Sequence, residues 1–434
     1  MLSLVDTDNG LVSARAFSDP DIYRSEQTQI FGHSWLFLGH ESEIPNPGDF
    51  ATRSMGEDPV ILARGRDREI RVMLNVCRHR GRRLCAEDMG NANHFQCGYH
   101  GWTYNNSGDL TGVPFFESYQ GRLNKSDWGL VQAPRVDTYR GLIFACWHPN
   151  VEPLESYLGD MKWVLDLMFA RTDRVTVIGP PQRWIVDCNW KLGAGNFGGD
   201  FHHLFTTHGF SNALGLKPTR VNRKAHALPM SQGHVASVVQ FADQPAETPF
   251  LALPREVWPE IERNLTPDQV HEMRPMQLTA GTVFPNLSFL NTASHTSGEW
   301  GGPEGEPISF LTLRQWQPRG PDKMEMWSWG FVDATAPMRW QRNSTDCYHR
   351  VFGMAGIFEQ DDIENWAEIN NGLRGRVARG LPLNYMMKLD MTPSEEWTGP
   401  GTGYLIHHEL SEINERVMYE RWRQLMENAS RPGD

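Results

Sequence analysis

The chain is poor in the features that most quickly narrow a protein's class. Cysteine is scarce: six residues, at 77, 85, 97, 146, 188 and 347, spread over 434 positions. That is not the disulfide framework of a small secreted fold. Long apolar runs are missing, and none approaches the roughly 18 residues that a bilayer span requires. Positive charge is in deficit, with 41 Lys and Arg against 53 Asp and Glu and a formal net charge of −12. A nucleic-acid partner needs a basic footprint and is excluded on that ground. The first residues, MLSLVDTDNG, show no basic segment leading into an apolar run, so no signal peptide is expected. Internal repeats and low-complexity tracts are absent too. The expectation is a cytoplasmic protein that meets neither membrane nor nucleic acid.

What is present is length and aromatic bulk. A chain of 434 residues can bury large cores in two substantial domains. Its 16 Trp and 21 Phe mostly fill such cores, with some left to line an apolar pocket. Asp19 as a cap and Pro20 in the first turn predict an early helix over 19–31. Between about 35 and 150 short runs such as PVILAR, EIRVMLNV, HFQCGY and GLIFACW alternate with Gly, Pro, Asn and Asp, the pattern of short antiparallel strands. Residues 153–170 return to helical spacing. RVTVIG and QRWIVDCNWKL read as strands, FHHLFTTH as a helix, and GTVFPNLSFL, EPISFLTLRQWQP and MEMWSWGFVDA as a second sheet. Helices are predicted over 338–375 and 409–427, and 210–260 reads as a mobile lid. The predicted class is α+β: an all-β domain at 35–150 inserted in a larger domain, 1–34 with 151–434, whose antiparallel sheet is flanked by helices.

Residues 77–100, CRHRGRRLCAEDMGNANHFQCGYH, concentrate three of the six cysteines with three histidines. Cys77-x-His79 and Cys97-x-x-His100 stand seventeen residues apart. Thiolate with imidazole suits zinc or iron–sulfur chemistry. A Cys₂His₂ zinc finger places both cysteines in one knuckle and both histidines in the other, and adds a helix. Here each knuckle holds one of each, among strand-like residues. That mixed pairing serves a [2Fe–2S] cluster in which one iron takes two Cys and the other two His. Cys85 and His94, between the knuckles, are not expected to be ligands. Such a cluster carries one electron at a time and makes no bonds itself, so a second site is required.

The stretch GAGNFGGDFHHLFTTH, 193–208, holds that site behind a false lead. Gly193-x-Gly195-x-x-Gly198 satisfies a dinucleotide fingerprint, which also wants an acid about twenty residues on. After Asp200 no acid occurs until Asp243. Nicotinamide binding is therefore rejected, and the chain must receive electrons from another protein. Asp200, His202, His203 and His208 remain. Two histidines and a carboxylate can form the facial triad of a mononuclear Fe(II) with open positions for O₂ and substrate. Spacing alone leaves both His202 and His203 open as the partner of His208.

With these motifs the chain resembles, over nearly its whole length, the α subunits of Rieske non-haem iron ring-hydroxylating dioxygenases, most closely those for naphthalene and larger polycyclic hydrocarbons. The knuckles, followed by Gly101-Trp102, match the Rieske motif. Asn189-Trp190-Lys191, Asn196-Phe197 and Asp200-x-x-His203-x₄-His208 match the catalytic one, and FEQDDIENW at 358–366 matches the acidic helix. The resemblance implies that Cys77, His79, Cys97 and His100 hold the cluster, that His203, His208 and Asp362 hold the mononuclear iron, and that His202 is a bystander. Asp200 is then no ligand. It would bridge His100 of one subunit and His203 of the next in a trimer, which makes the oligomer part of the electron path. The match departs at Gly195, where many members carry Glu, and at Gly198, which replaces a larger residue; both changes would enlarge or loosen the start of the next helix.

The same resemblance implies electrons from NAD(P)H through a reductase and a ferredoxin, a small β subunit in an α₃β₃ hexamer, and cis-dihydroxylation of an arene by O₂. Asn196, Phe197, Leu204, Phe205, His295, Phe352, Ile357 and Phe358 are the candidate substrate contacts. No Arg or Lys falls at the matching positions, and a buried aromatic carboxylate would want one. A neutral polycyclic or biaryl hydrocarbon is therefore expected, with Gly195, Gly198, Gly199, Ala355 and Gly356 leaving room for more than one ring. Angular attack on dibenzofuran- or fluorene-like substrates, monooxygenation or dealkylation, and aromatic-acid dioxygenation are the alternatives within the family. A pure electron-transfer protein is the alternative outside it, and it would not need His203, His208 or Asp362.

Overall fold

The computed structural model of the chain describes residues 4–210, 223–242, 249–295, 307–406 and 410–428. They form two compact units, one of residues 31–154 and one of 1–30 with 155–434. Among the described residues no helix is long and apolar enough to cross a membrane.

The unit 31–154 is all β apart from short 3-10 turns. Ile70–Leu74, Asp58–Arg64, Asp49–Met55 and Met89–Asn91 form one antiparallel sheet in that order. Arg135–Tyr139, Leu142–Cys146 and Leu36–His40 form a second. Leu110–Gly112, Thr103–Asn105 and His94–Gln96 form a third. The core behind the knuckles gathers Phe50, Ile61, Met73, Phe95, Trp102 and Tyr104 around Cys77 and Cys97.

The other unit is built on an antiparallel sheet of nine strands among the described residues. Its middle runs Lys323–Asp333, Pro307–Gly320, Leu287–His295, Met276–Val283, Val235–Phe241 and Arg223–Pro229. The helices that matter for the site are α1 (Pro20–Gln29), α2 (Trp190–Gly199), α3 (Met338–Phe352), α4 (Ile357–Leu373) and α5 (Ile413–Asn428). α2 lies across four strands of the sheet, and α3 packs on the two longest.

The early helix starts as its sequence predicts, with Asp19 accepting from the Asp21 amide. QRWIVDCNWKL differs: only Gln182–Val186 is strand. The Asn189 side chain accepts from the Lys191 amide and starts α2. Lys191 and the Trp190 indole then reach Glu26 of α1, and the Trp422 indole of α5 donates to the same carboxylate. The Asn-Trp-Lys motif thus caps one helix and ties it to two others. A glycine-rich segment forms α2 because it is pressed against its neighbours. A Cβ at Gly193 would come within 2.6 Å of the Trp316 ring, and one at Gly199 within 2.8 Å of Asn414. The fingerprint glycines serve packing, as they do where a helix crosses a sheet closely.

FHHLFTTH also differs from its prediction. It is a 3-10 turn, His202–Phe205, followed by irregular turns. A regular helix would throw His203 and His208 to different faces; the turn lets both point the same way. The described part of 210–260 is not a lid, because 223–229 and 235–241 pair as adjacent sheet strands. Every residue of Val235–Phe241 is buried, which erases the period-two alternation that would have revealed a strand. Residues 211–222 and 243–248 lie outside the described residues.

Candidate metal centres and active site

The two knuckles are the same local structure built twice. In the first, the Cys77 amide donates to the Arg82 carbonyl and the Gly81 amide to the Cys77 carbonyl, at 2.9 Å each. In the second, the Cys97 amide donates to the Trp102 carbonyl at 2.8 Å and the Gly101 amide to the Cys97 carbonyl at 2.9 Å. Both loops turn back through a glycine with positive φ, Gly81 at 75° and Gly101 at 73°, a conformation that costs glycine least. The loops bring the His79 and His100 rings to 4.5 Å between centroids, and His79 stacks on Trp102.

The chemistry of these groups fits a cluster. Burial pushes the Cys97 thiol up, but the amides of Tyr99 and His100 outweigh it and favour the thiolate. The Tyr104 hydroxyl lies 3.7 Å from the Cys77 sulfur. Desolvation, then the neighbouring His100 and Arg80, hold His79 below its usual range, as a neutral imidazole ligand requires. Cys85 is different: burial pushes its thiol up to about 11, and it donates to Glu87. His94 sits on an exposed edge of its strand.

In the larger unit, His203 and His208 meet Asp362 of α4. Asp362 Oδ1 lies 3.5 Å from His203 Nε2 and 3.0 Å from His208 Nε2. The three can offer one ligand atom each, all within 4.8 Å of one another, the donor set of a facial triad. The outward ring nitrogens face carboxylates as well. His203 Nδ1 is 3.4 Å from Asp200 and His208 Nδ1 is 3.7 Å from Asp361. Burial alone would lower His203's pKa, but Asp200 and Asp362 more than offset it. A site that favours an extra proton this way favours a metal cation for the same reason. His202 is half-buried, with Nε2 3.4 Å from Asp200, and is not one of the three converging residues.

α4 is held from behind. Arg314, fully buried, donates to Glu359 of α4 at 2.5 Å and to the Phe352 carbonyl at the end of α3 at 2.6 Å. Glu359 lies one helical turn before Asp362, so this pair sets the depth of Asp362.

An apolar cavity opens beside the triad. Asn196, Phe197, Leu204, Phe352 and Phe358 line it together with His203, His208 and Asp362. Phe352 stacks on Phe358 at 5.7 Å, and Phe197 and Phe310 meet Phe352 edge-on or tilted. Neither Lys nor Arg is among the described lining residues. Phe205 and Ile357 are exposed instead, at 57% and 41%. His295 ends its strand, and its side chain lies outside the described residues. The small residues do not make the room expected of them. Gly198 faces Val235, Gly199 faces Asn414 and Gly356 faces the backbone of Val351, while Gly195 looks toward Tyr419. The space comes from Val239, Met276, Leu278, Ala280, Leu290 and Ala293 on the sheet. These strand residues look in sequence like any other core position and carried no signal.

Known proteins resemble the chain along its length. Residues 34–136 match the Rieske [2Fe-2S] domain, and residues 154–397 match the ring hydroxylating alpha subunit catalytic domain. The α subunit of biphenyl 2,3-dioxygenase from Rhodococcus jostii (strain RHA1) is 39% identical over 442 residues, covering 98% of this chain and 90% of that protein. The biphenyl dioxygenase α subunit of Paraburkholderia xenovorans (strain LB400) is 38% identical over 451 residues, covering 98% and 93%. The solved naphthalene 1,2-dioxygenase from Rhodococcus sp., bound to indole, is 43% identical with a TM-score of 0.91, covering 97% of this chain and 95% of that one.

Proposed function

The chain belongs to the ring-hydroxylating dioxygenase α-subunit family, with a Rieske [2Fe–2S] cluster and a mononuclear iron as cofactors, and from that premise we propose that it cis-dihydroxylates a neutral polycyclic or biaryl hydrocarbon. The observation that carries this reading is the cavity beside His203, His208 and Asp362, walled by stacked and edge-on phenylalanines and without a cation among its described residues. Burying a carboxylate there would leave it unpaired at a cost of several kcal/mol or more. A flat apolar ring is held by shape and contact.

In this proposal Cys77, His79, Cys97 and His100 hold the cluster, and His203, His208 and Asp362 hold the iron. The bound groups supply one-electron transfer and reductive O₂ activation. The protein's residues do the rest. Phe352 and Phe358 present one flat wall, so the arene lies in a set plane. Phe197 closes the slot from the α2 side. Asp200 and Asp361 orient the two imidazoles from outside. Electrons come from NAD(P)H through a reductase and ferredoxin, and a small β subunit completes an α₃β₃ hexamer.

A single turnover tests the reading without any redox partner. The purified protein is chemically reduced without air and given naphthalene, dibenzofuran or an aromatic acid, after which O₂ is admitted. The expected product is a cis-dihydrodiol of naphthalene. An angular diol from dibenzofuran alone would redirect the regiochemistry. Turnover of the acid alone would overturn the apolar-slot argument.

A further inference from the structure

A second cavity, of about 330 Å³, adjoins the triad and shares Asn196, His203 and Asp362 with the arene slot. Asp200, His203 and Asp362 line one end of it. The far wall comes from the C-terminal part of the chain: Tyr385, and Glu412, Glu415 and Tyr419 at and within α5. Its mouth is polar and open, with Asn365 and Thr206 exposed and Ile369 41% exposed. Where the arene slot is lined mostly by hydrocarbon, this cavity adds carboxylates, hydroxyls and amides to Leu192, Trp366 and Ile369. A polar cavity of this size holds several waters, each needing two to four partners.

Glu415 is only 4% exposed, and its Oε2 meets no hydrogen-bond donor among the described residues. A buried carboxyl oxygen without a partner is costly and calls for an explanation. Asp200 Oδ1, at the opposite end of the same cavity, faces His202 Nε2 and His203 Nδ1 at 3.4 Å each. Between these walls the Tyr385 and Tyr419 hydroxyls lie 3.4 Å apart. Gly195 lines the cavity beside the Tyr419 hydroxyl, and a Cβ there would stand in ordinary contact at 3.4 Å.

We propose that Glu415 is a proton donor to the reaction site, working through Tyr419, Tyr385 and the water of this cavity. Dihydroxylation has a proton requirement that the arene slot is not built to meet. One arene, one O₂, two electrons and two protons give one cis-dihydrodiol. Two C–O bonds form, the O–O bond and one arene π bond are lost, and each oxygen ends as a hydroxyl. The electrons come from the external reductant. Glu415 gives up a proton through the two tyrosine hydroxyls to the water at the triad end of the cavity and regains one from solvent through the mouth beside Thr206 and Asn365. Its surroundings favour the acid form. Burial pushes its pKa well above the carboxylate range, the charge of Asp200 and then Glu412 add to that, and Arg416 opposes it. Burial holds the Tyr385 and Tyr419 hydroxyls protonated, and the charge of Asp200 adds to it.

This inference rests on the dioxygenase reading, and Glu415→Gln separates the two. The first measurement needs no turnover. The infrared C=O stretch of a neutral carboxylic acid is recorded at pH 7.5 on iron-free protein, and is expected in the native chain and lost in E415Q. The second follows diol formation with saturating reductant. A relay predicts a fall of about 100-fold in kcat at constant KM, in the range of general acid catalysis. It also predicts a larger solvent isotope effect and partial recovery in Glu415→Asp. Equal kcat in E415Q and native protein overturns the relay and leaves the dioxygenase reading standing. So does an unchanged infrared band, or a loss of kcat that tracks a fall in thermal stability and is not recovered by the Asp variant. A native protein that makes no diol from any arene overturns the dioxygenase reading, and the relay with it.

Discussion

The two metal centres differ in how the chain assembles them. The four residues proposed to hold the cluster fall within 77–100, on two loops with the same hydrogen bonds and the same glycine turn. His203 and Asp362 are separated in sequence by most of the large sheet, and they meet because α2, which leads into the His202–Phe205 turn, packs on the sheet while α4 packs on α3 and is tied to the sheet by Arg314. The first centre is a local design repeated. The second is a property of the packed domain. A local site should tolerate damage elsewhere, whereas a packed site should fail whenever its supports move.

The largest expected effects test that the centres are separable. Asp362→Asn should lose about one iron per chain and abolish diol formation while the visible spectrum of the cluster stays. Cys97→Ser should remove the cluster spectrum and leave iron bound at the triad. Iron counts and absorbance on both variants check this. Loss of both centres in either one would break the comparison.

A smaller effect probes the supports. Each unit contains a buried ion pair, Arg314–Glu359 in the catalytic unit and Arg53–Glu43 in the cluster unit. Removing one partner strands a buried charge, at about 3–5 kcal/mol. Arg314→Met and Arg53→Met should therefore lower stability alike. Only Arg314→Met should also weaken iron binding at the triad, because Glu359 is on the helix that carries Asp362. Iron affinity alongside chemical denaturation distinguishes them.

Acid should affect both units by similar amounts. Burial lowers His234 to about 4 and His40 to about 4. His234 is a neutral ring, its Nε2 donating to the Tyr157 carbonyl and its Nδ1 accepting from the Phe284 amide. Between about pH 6.5 and 4 the unfolded chain binds a proton at each site that the native chain does not. Stability from each is thus full above pH 6.5 and is lost as pH falls toward 4, by roughly 3 kcal/mol apiece. Denaturation curves across that window, with His234→Gln as the control for the larger unit, should show the slope reduced.

The smallest effect lies within the cluster unit. Gly81→Ala meets open space and should cost only the left-handed backbone, about 1–2 kcal/mol. Gly101→Ala adds a contact at 2.9 Å with the Pro114 ring and should cost more. Thermal melts of the two variants rank them.

Legibility followed the same division. Cys77, His79, Cys97 and His100 were readable because ligand type and spacing are both local. The His203, His208 and Asp362 set was not. Spacing left His202 and His203 equal, and Asp361–Asp362 looked like a solvated helix face until a family resemblance singled out Asp362. Glu359 and Glu415 gave no signal at all, because a charged residue on a helix reads as surface until packing buries it, and Arg314 was a lone cation in a strand-like run. The strand at 235–241 was missed because burial on both faces removes its alternation.

The chain by itself determined its class, its two Cys/His knuckles and the cap at Asp19, since each depends on residues a few positions apart. Tertiary structure alone decided which histidines converge, which strands wall the arene slot, and that a buried acid faces a polar cavity beside the triad. Those are distances between residues far apart in sequence, and only the packing of helices on the sheet makes them short.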